Sequence, residues 1–146
     1  MRFMIMVRAN AESEAGTKPG DGVPPEEKDK HIAAMADYHE QLAKAGVLLD
    51  AAGLQPSARG WRVHYAKGRR TVVDGPFAET KELIAGYTLI QVRSREEALE
   101  WTQRFPAPFG ELADGAIEVR QLFELEDFEP SESVDRFRQM ELERQR

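Results

Sequence analysis

Cysteine is absent from this chain of 146 residues. Its absence excludes disulfides, thiolate nucleophiles and cysteine-ligated metals. Long apolar runs are lacking as well, and the N-terminal run at residues 3–7 is too short for a signal sequence or a membrane span. Basic residues are fewer than acidic ones: 20 Lys and Arg and 26 Asp and Glu give a net charge of −6. This balance argues against nucleic acid or a membrane surface as a partner, and we expect a cytoplasmic protein.

Signatures of known catalytic centres are also missing. The three histidines, His31, His39 and His64, are scattered and form no paired motif of the kind that binds a metal. There is no phosphate-binding glycine loop, no nucleophile elbow and no Ser-His-Asp order. The sequence therefore predicts neither a cofactor nor a resident metal. An adventitious ion held by His39 and Asp74 is the alternative.

Turn and cap residues divide the chain into short elements. The pair Lys67-Gly68, flanked by β-prone runs, predicts a hairpin. Ser94, with Glu97 three residues later, predicts a capped helix, and Gly46 predicts a helix end. We predict strands at 2–8, 47–53, 61–66, 69–73, 83–92 and 117–125. We predict helices at 26–45, after Pro24-Pro25, and at 94–105, one helical turn at 80–82, and a mobile loop at 9–24.

The order of these elements predicts the fold class. The order β-α-β, hairpin, β-α-β indicates an α+β, ferredoxin-like antiparallel sheet with two helices on one face and an inserted β-hairpin. The other face of such a sheet is uncovered, although the run 83–92 is apolar on both sides. We therefore expect a homodimer that packs sheet against sheet. Residues 1–125 form the predicted domain, and 126–146 form a charged helical tail.

The segment 74–82, Asp-Gly-Pro-Phe-Ala-Glu-Thr-Lys-Glu, is the most informative stretch of the chain. Gly75 precedes Pro76, and a residue before proline is disfavoured in the α region, so the chain bends there in an extended-type turn. Pro76 has no N–H, so Asp74 lacks its easiest local hydrogen-bond partner. The carboxylate is therefore free to serve another group.

The first long helix carries a candidate acid/base group. At 100° per residue, His39 lies near the centre of an apolar face. The other members of that face are Ile32, Met35, Ala36, Leu42 and Ala43. One interpretation is a packed histidine satisfied by one hydrogen bond. The other is a general acid/base, because imidazole exchanges protons near neutral pH.

Two charged segments have two interpretations each. The basic hairpin is interpreted as solvated, with an anion-binding rim as the alternative. Its basic residues are Arg59, Arg62, Lys67, Arg69 and Arg70. The tail carries an apolar stripe of Val134, Phe137 and Met140. Docking of this stripe on the protein's own body or on a dimer mate is favoured over docking on a different protein.

The motif at 74–82 resembles the hallmark of the DGPF branch of the YCII-related proteins. Shorter matches fall in the expected order along the chain, and the resemblance covers residues 1–122 without the tail. These shorter matches are Tyr38-His39-Glu40, Ala45-Gly46-Val47-Leu48, Gly53-Leu54-Gln55-Pro56, Gly86-Tyr87, Ala98-Leu99-Glu100-Trp101 and Ile117-Glu118-Val119-Arg120.

The resemblance implies a ferredoxin-like α+β fold assembled as a dimeric α+β barrel. It also implies a cleft with a His-Asp pair, carried here by His39 and Asp74. One relative of this type is a dehydrochlorinase that acts on a chlorinated hydroxyhydroquinone. Members of the DGPF branch are often encoded beside, or fused to, extracytoplasmic-function sigma factors, although this chain contains no sigma domain.

Two classes of function fit these residues. The first is a cofactor-independent enzyme that performs elimination or isomerisation on a small cyclic or aromatic molecule. His39 would be the general base, Asp74 would fix its tautomer and stabilise the imidazolium, and Phe77 and Tyr87 would line the substrate cleft. The alternative is a ligand-binding or regulatory module, linked to sigma-factor signalling, without turnover. The His39–Asp74 dyad requires the two side chains within hydrogen-bond reach, directly or through one water, and it fails if a structure holds them well apart with no shared cavity.

Overall fold

A computed structural model describes residues 1–16 and 18–145. Thr17 of the predicted loop and Arg146 of the predicted tail lie outside the described residues. The strands are β1 (Arg2–Arg8), β2 (Leu48–Gly53), β3 (Trp61–Ala66), β4 (Arg69–Asp74), β5 (Ile84–Gln91) and β6 (Ile117–Gln121). The α-helices are α1 (Ala11–Ala15), α2 (Lys28–Lys44), α3 (Arg95–Gln103) and α4 (Glu132–Arg144).

The main sheet has four strands in the order β2-β5-β1-β6, and every neighbouring pair is antiparallel. With the hairpin left out, this is the strand order of a ferredoxin-like sheet. Strands β3 and β4 form a separate two-stranded sheet. The predicted α+β class, the antiparallel sheet and the inserted hairpin are therefore confirmed.

The hydrophobic core lies between the main sheet and the two helices α2 and α3. Strands β1 and β5 supply buried Phe3, Ile5 and Ile90, and α2 supplies Tyr38 and Leu42. Each such side chain contributes about 1.5–3 kcal/mol when it is fully buried. The Tyr38 hydroxyl donates a hydrogen bond of 2.7 Å to a carbonyl of α3, and burial raises its pKa to about 12. The ring therefore stays neutral and joins the two helices.

The apolar face predicted for α2 is partly wrong. Tyr38, left out of that face, is only 4 % exposed, whereas Ala36 and Ala43, placed in it, are exposed. The helix is rotated so that Tyr38 and Leu42 point into the core. His39 therefore lies at the edge of the buried face and not at its centre, and it is half-buried.

The predicted loop at 9–24 contains a short helix that the composition did not indicate. Helix α1 begins after Asn10, whose side chain accepts a hydrogen bond of 2.7 Å from the Ser13 amide. The Ser13 hydroxyl in turn accepts one from the Asn10 amide, which completes a capping box. Asn10 and Ser13 lie three positions apart, the spacing of a capping box, so this part of the predicted loop is helical.

The second face of the main sheet carries no helix of the core. Side chains alternate along a strand, so Met4 and Met6 point away from α2 and α3. Met4 is paired with Leu89, and Met6 with Tyr87, in the register of β1 and β5. All four residues are half-buried. This second face is therefore an apolar surface.

Candidate active site

A cleft of about 780 Å³ opens beside α2. Its walls come from the first three turns of α2, from β2 and β5, from residues 18–23 and from residues 105–109. The core does not extend here, because the helix side that faces the cleft carries small or medium side chains such as Ala36 and Met35.

His39 lies on the wall of this cleft with both ring nitrogens engaged. Its Nδ1 lies 2.7 Å from the Met35 carbonyl oxygen, and its Nε2 lies 2.8 Å from the Thr88 hydroxyl. A carbonyl oxygen only accepts, so Nδ1 carries the hydrogen. In the neutral ring Nε2 is therefore the acceptor of the Thr88 hydroxyl. The helix backbone fixes the tautomer and aims the basic nitrogen at β5.

Thr88 is placed by the sheet rather than by any local motif. It lies in the middle of β5 opposite Ile5 of β1, and it is only 3 % exposed. A threonine beside a histidine also resembles a nucleophile with its base. Because so little of Thr88 is exposed, however, the hydroxyl is better suited to orienting the imidazole ring than to attacking a substrate.

The structure does not bring Asp74 or Phe77 to this cleft. Asp74 ends β4 opposite Trp61, and its exposed carboxylate has no hydrogen-bond or ion-pair partner among residues 1–16 and 18–145. The Phe77 ring packs under the Arg62 guanidinium, 3.8 Å from the ring centroid. The hydrogen bond expected between His39 and Asp74 is made with Met35 instead. A catalytic role for Asp74 stays a prediction.

Tyr87 borders the cleft, but its phenol belongs to the second face of the sheet. Successive residues of a strand point to opposite faces, and Thr88 already points toward His39. The Tyr87 hydroxyl donates a hydrogen bond of 2.9 Å to Asp50. That hydrogen bond raises the pKa of Tyr87.

The motif at 74–82 is anchored on a segment just before the hairpin. The Gly75 amide donates to the Gly60 carbonyl at 2.9 Å, and the Phe77 amide donates to the Ser57 hydroxyl at 3.0 Å. A Cβ added to Gly75 would overlap the Ser57 carbonyl oxygen, so only glycine fits there. The Gly75–Pro76 peptide bond is cis.

Ser57 also contacts an acid of the cleft wall that the sequence analysis did not predict. Glu14 of α1 lines the cleft, and its carboxylate accepts hydrogen bonds from the Ser57 amide at 2.9 Å and from the Ser57 hydroxyl at 2.5 Å. The cleft therefore has an imidazole on one wall and a carboxylate on another. No sequence spacing connects Glu14 with Ser57, because the two residues are 43 positions apart.

His31 is a second histidine on the cleft wall, two helical turns before His39. Burial lowers its pKa, so the folded protein favours its neutral form. Within residues 1–16 and 18–145, no three His, Cys, Asp or Glu side chains are grouped to hold a metal ion. In the same part of the chain, no helix has the length and apolarity that crossing a membrane requires.

The tautomer of His39 can be measured directly. In ¹⁵N-edited spectra recorded where the ring is neutral, we expect Nδ1 to carry the hydrogen and Nε2 to be bare, because the Met35 carbonyl can only accept. His64 on the exposed hairpin is the internal control and should show a mixture of both tautomers. A hydrogen on Nε2 of neutral His39 would contradict the assignment.

Comparisons with known proteins identify a family, a curated relative and a similar solved structure. A family model described as the YCII-related domain matches residues 1–126. An uncharacterised protein of Rhizobium meliloti (strain 1021) is 32 % identical over 97 residues, which cover 66 % of this chain and 77 % of the relative. A 5-chloro-2-hydroxyhydroquinone dehydrochlorinase from Burkholderia phenoliruptrix AC1100, solved with 2,5-dihydroxybenzoquinone, has a TM-score of 0.44 and 14 % identity. That alignment covers 84 % of this chain and 94 % of the dehydrochlorinase.

Proposed function

This chain belongs to the YCII-related family, and we propose that it is a cofactor-independent enzyme that transfers protons on a small cyclic or aromatic molecule. His39 is the general base of this proposal. Its Nε2 takes a proton from a ring carbon. In an elimination, the released C–H electron pair forms a double bond while the leaving group departs with its own electrons. In an isomerisation, the proton is returned at another carbon.

The observation that carries the proposal is the fixed tautomer of His39 on the wall of a cleft. The Met35 carbonyl holds Nδ1–H, so the lone pair of Nε2 is oriented before any ligand arrives. A positioned base of this kind contributes about 10²–10⁴-fold to a rate. In the proposal the imidazole ring turns away from the Thr88 oxygen, which now lies 2.8 Å from Nε2, when a substrate approaches.

The cleft supports a small and largely apolar substrate. Its volume of about 780 Å³ falls within the range of roughly 300–1,000 Å³ that is typical of small-molecule sites. Aliphatic and aromatic side chains from several elements form the walls, among them Val23, Ile32 and Phe105. Glu14 is an acid on the cleft wall, and its carboxylate can accept a hydrogen bond from a substrate hydroxyl.

Asp74 enters the proposal through the sequence motif and not through a contact. Its support is an exposed carboxylate on a corner that the Gly60 and Ser57 hydrogen bonds hold in place. Because Asp74 lies outside the cleft, the proposal gives this carboxylate only a long-range electrostatic effect on the imidazolium formed on His39. An Asp74→Asn variant whose rate and pH profile match the wild type would remove Asp74 from the mechanism while leaving His39 in place.

A second candidate is a ligand-binding or regulatory module without turnover. The observation in its favour is that both His39 nitrogens already have partners, as in a histidine that only supports a fold. The module would bind a ligand in the same cleft and release it unchanged.

Deuterium exchange separates the two candidates. The protein is incubated in D₂O with a panel of hydroxylated and halogenated six-membered-ring carbon acids, and the ring C–H signals are followed by NMR. If the protein is an enzyme, at least one compound should lose a C–H signal or release halide at a catalysed rate. Broadened ligand signals with no exchange and no product across the panel would favour the binding module.

We also infer that the protein is a homodimer that pairs two sheets as a dimeric α+β barrel. The support is the second face of the main sheet, where Met4, Met6, Tyr87 and Leu89 form an apolar surface. Water is excluded from such a surface most simply when two copies face each other.

If the protein is a homodimer, light scattering should give a mass of twice 16.5 kDa. Leu89→Asp places a charge on the second face and should shift the mass toward that of one chain. Leu99→Asp is the matched control, because Leu99 is an exposed residue of α3. A wild-type mass of one chain at micromolar concentration would refute the dimer.

A further inference from the structure

The β3-β4 hairpin stands apart from the rest of the chain. Its two strands pair with each other and with no other strand among the described residues. An isolated two-stranded hairpin is marginally stable in water. The hairpin therefore requires a surface to pack against.

One face of this hairpin is apolar. Trp61, Val63 and Tyr65 alternate on it and lie opposite Asp74, Val72 and Arg70. Trp61 is 65 % exposed and Tyr65 is 70 % exposed. We name Trp61, Val63, Tyr65 and Val72 the hairpin face. Residues 59–74 carry five basic side chains and one acidic side chain.

The C-terminal segment has the opposite charge and a second set of exposed rings. Phe123 is 77 % exposed and lies 5.8 Å from the Phe128 ring, measured between centroids. Phe137 and Met140 of α4 are also exposed. We name these four residues the C-terminal patch. Residues 123–145 carry eight acidic and three basic side chains.

The two surfaces lie at opposite ends of the main sheet. The pairs Arg2–Gln91 and Phe3–Gln121 place the end of β6, and hence the C-terminal segment, at one end. The pair Gly53–Gly86 places the end of β2, from which the hairpin is inserted, at the other end. Strand β5 separates these ends by roughly 25 Å at about 3.3 Å per residue. The surfaces do not meet within one chain.

We propose that in the homodimer the hairpin face of each protomer packs on the C-terminal patch of its partner. This inference rests on the proposed pairing of two sheets. In such a dimer a twofold axis makes the strands of one sheet run opposite to those of the other. The hairpin end of one main sheet then lies beside the C-terminal end of its partner's sheet. The contact then occurs twice and closes the assembly.

Charge and area both favour a second copy as the occupant. The hairpin segment has an excess of basic residues and the C-terminal segment an excess of acidic ones. Such complementarity also orients the approach of the two partners. Five rings that are 52–77 % exposed, at roughly 150–250 Å² each when fully exposed, supply on the order of 650 Å² for one contact. Two symmetric contacts then reach the roughly 1,200–2,000 Å² of a stable interface.

Cross-linking tests the contact cleanly because the chain has no native cysteine. Tyr65→Cys and Phe137→Cys proteins with tags of different size are mixed, allowed to exchange subunits and treated with a short bismaleimide. We expect the mixed covalent dimer to exceed both homodimer products several-fold. Tyr65→Cys mixed with Glu100→Cys is the control, since Glu100 is an exposed residue of α3. Light scattering on the same samples gives the oligomeric state.

Each outcome bears on a different part of the inference. A dimeric mass with no more mixed product than the control overturns the hairpin contact and leaves the dimer standing. A monomeric mass overturns both. A ladder of covalent oligomers from a chain carrying both substitutions overturns the reciprocal arrangement, because head-to-tail contacts that do not close grow into filaments.

Discussion

Replacing His39 with glutamine is expected to lower the rate of deuterium exchange or elimination by about 10²–10⁴-fold. Glutamine retains a side-chain amide but has no nitrogen that can accept and return a proton near neutral pH. The measurements are the exchange rate by NMR, the ligand affinity by titration and the melting temperature. The proposal requires a lost rate with a retained affinity and a retained fold.

Thr88→Val is the matched control for this variant. Valine has nearly the shape of threonine but cannot donate to Nε2, while the Met35 carbonyl still holds Nδ1–H. The rate should fall much less than in His39→Gln, because the base itself remains. If Thr88→Val abolishes turnover and His39→Gln does not, the hydroxyl and not the imidazole is the reacting group.

Gly75→Ala is expected to destabilise the fold even though it adds a single methyl group. The added Cβ would overlap the Ser57 carbonyl oxygen, which belongs to the backbone and cannot rotate away. The chain would have to separate the motif corner from residues 57–60. Overpacking of this kind costs about 1–3 kcal/mol, which corresponds to a melting temperature lower by roughly 2–12 °C.

Gly53→Ala is the matched control for Gly75→Ala. No heavy atom lies within 4 Å of a Cβ built at Gly53, and its φ lies outside the left-handed region. The free energy of unfolding of this variant should lie within about 0.5 kcal/mol of the wild-type value, as is usual for surface substitutions. Equal melting temperatures for wild type and Gly75→Ala would show that the corner is not packed as described.

The sequence predicts this fold well where the signals are local. Lys67 and Gly68 adopt φ values of 51° and 78°, which is the backbone of a tight hairpin turn. Ser94 accepts a hydrogen bond from the Glu97 amide at the predicted cap. Gly46 follows α2 with a φ of 75°. Each signal involves residues at most three positions apart, so one sequence is enough to read it.

The site was harder to predict because its contacts join distant segments. The Thr88 hydroxyl contacts His39, although the two residues are 49 positions apart in the sequence. From the sequence alone, Thr88 is only a β-branched residue of a predicted strand. The Met35 carbonyl is a backbone group, so no residue type in the sequence indicates its hydrogen bond to His39. Helical periodicity identified His39 correctly as inward-facing, but it could not show that the space beside it is a cleft and not packed core.

The contact between Ser57, Glu14 and Phe77 has a thermodynamic consequence. One hydroxyl donates to the acid of the cleft and accepts from the amide of the motif, so the two hydrogen bonds share an oxygen. A ligand that draws Glu14 away alters the partner of the Phe77 amide, and by linkage a disturbance at that amide alters the affinity for the ligand. Solvent exchange of a single backbone hydrogen, that of Phe77, therefore reports on occupancy of the cleft.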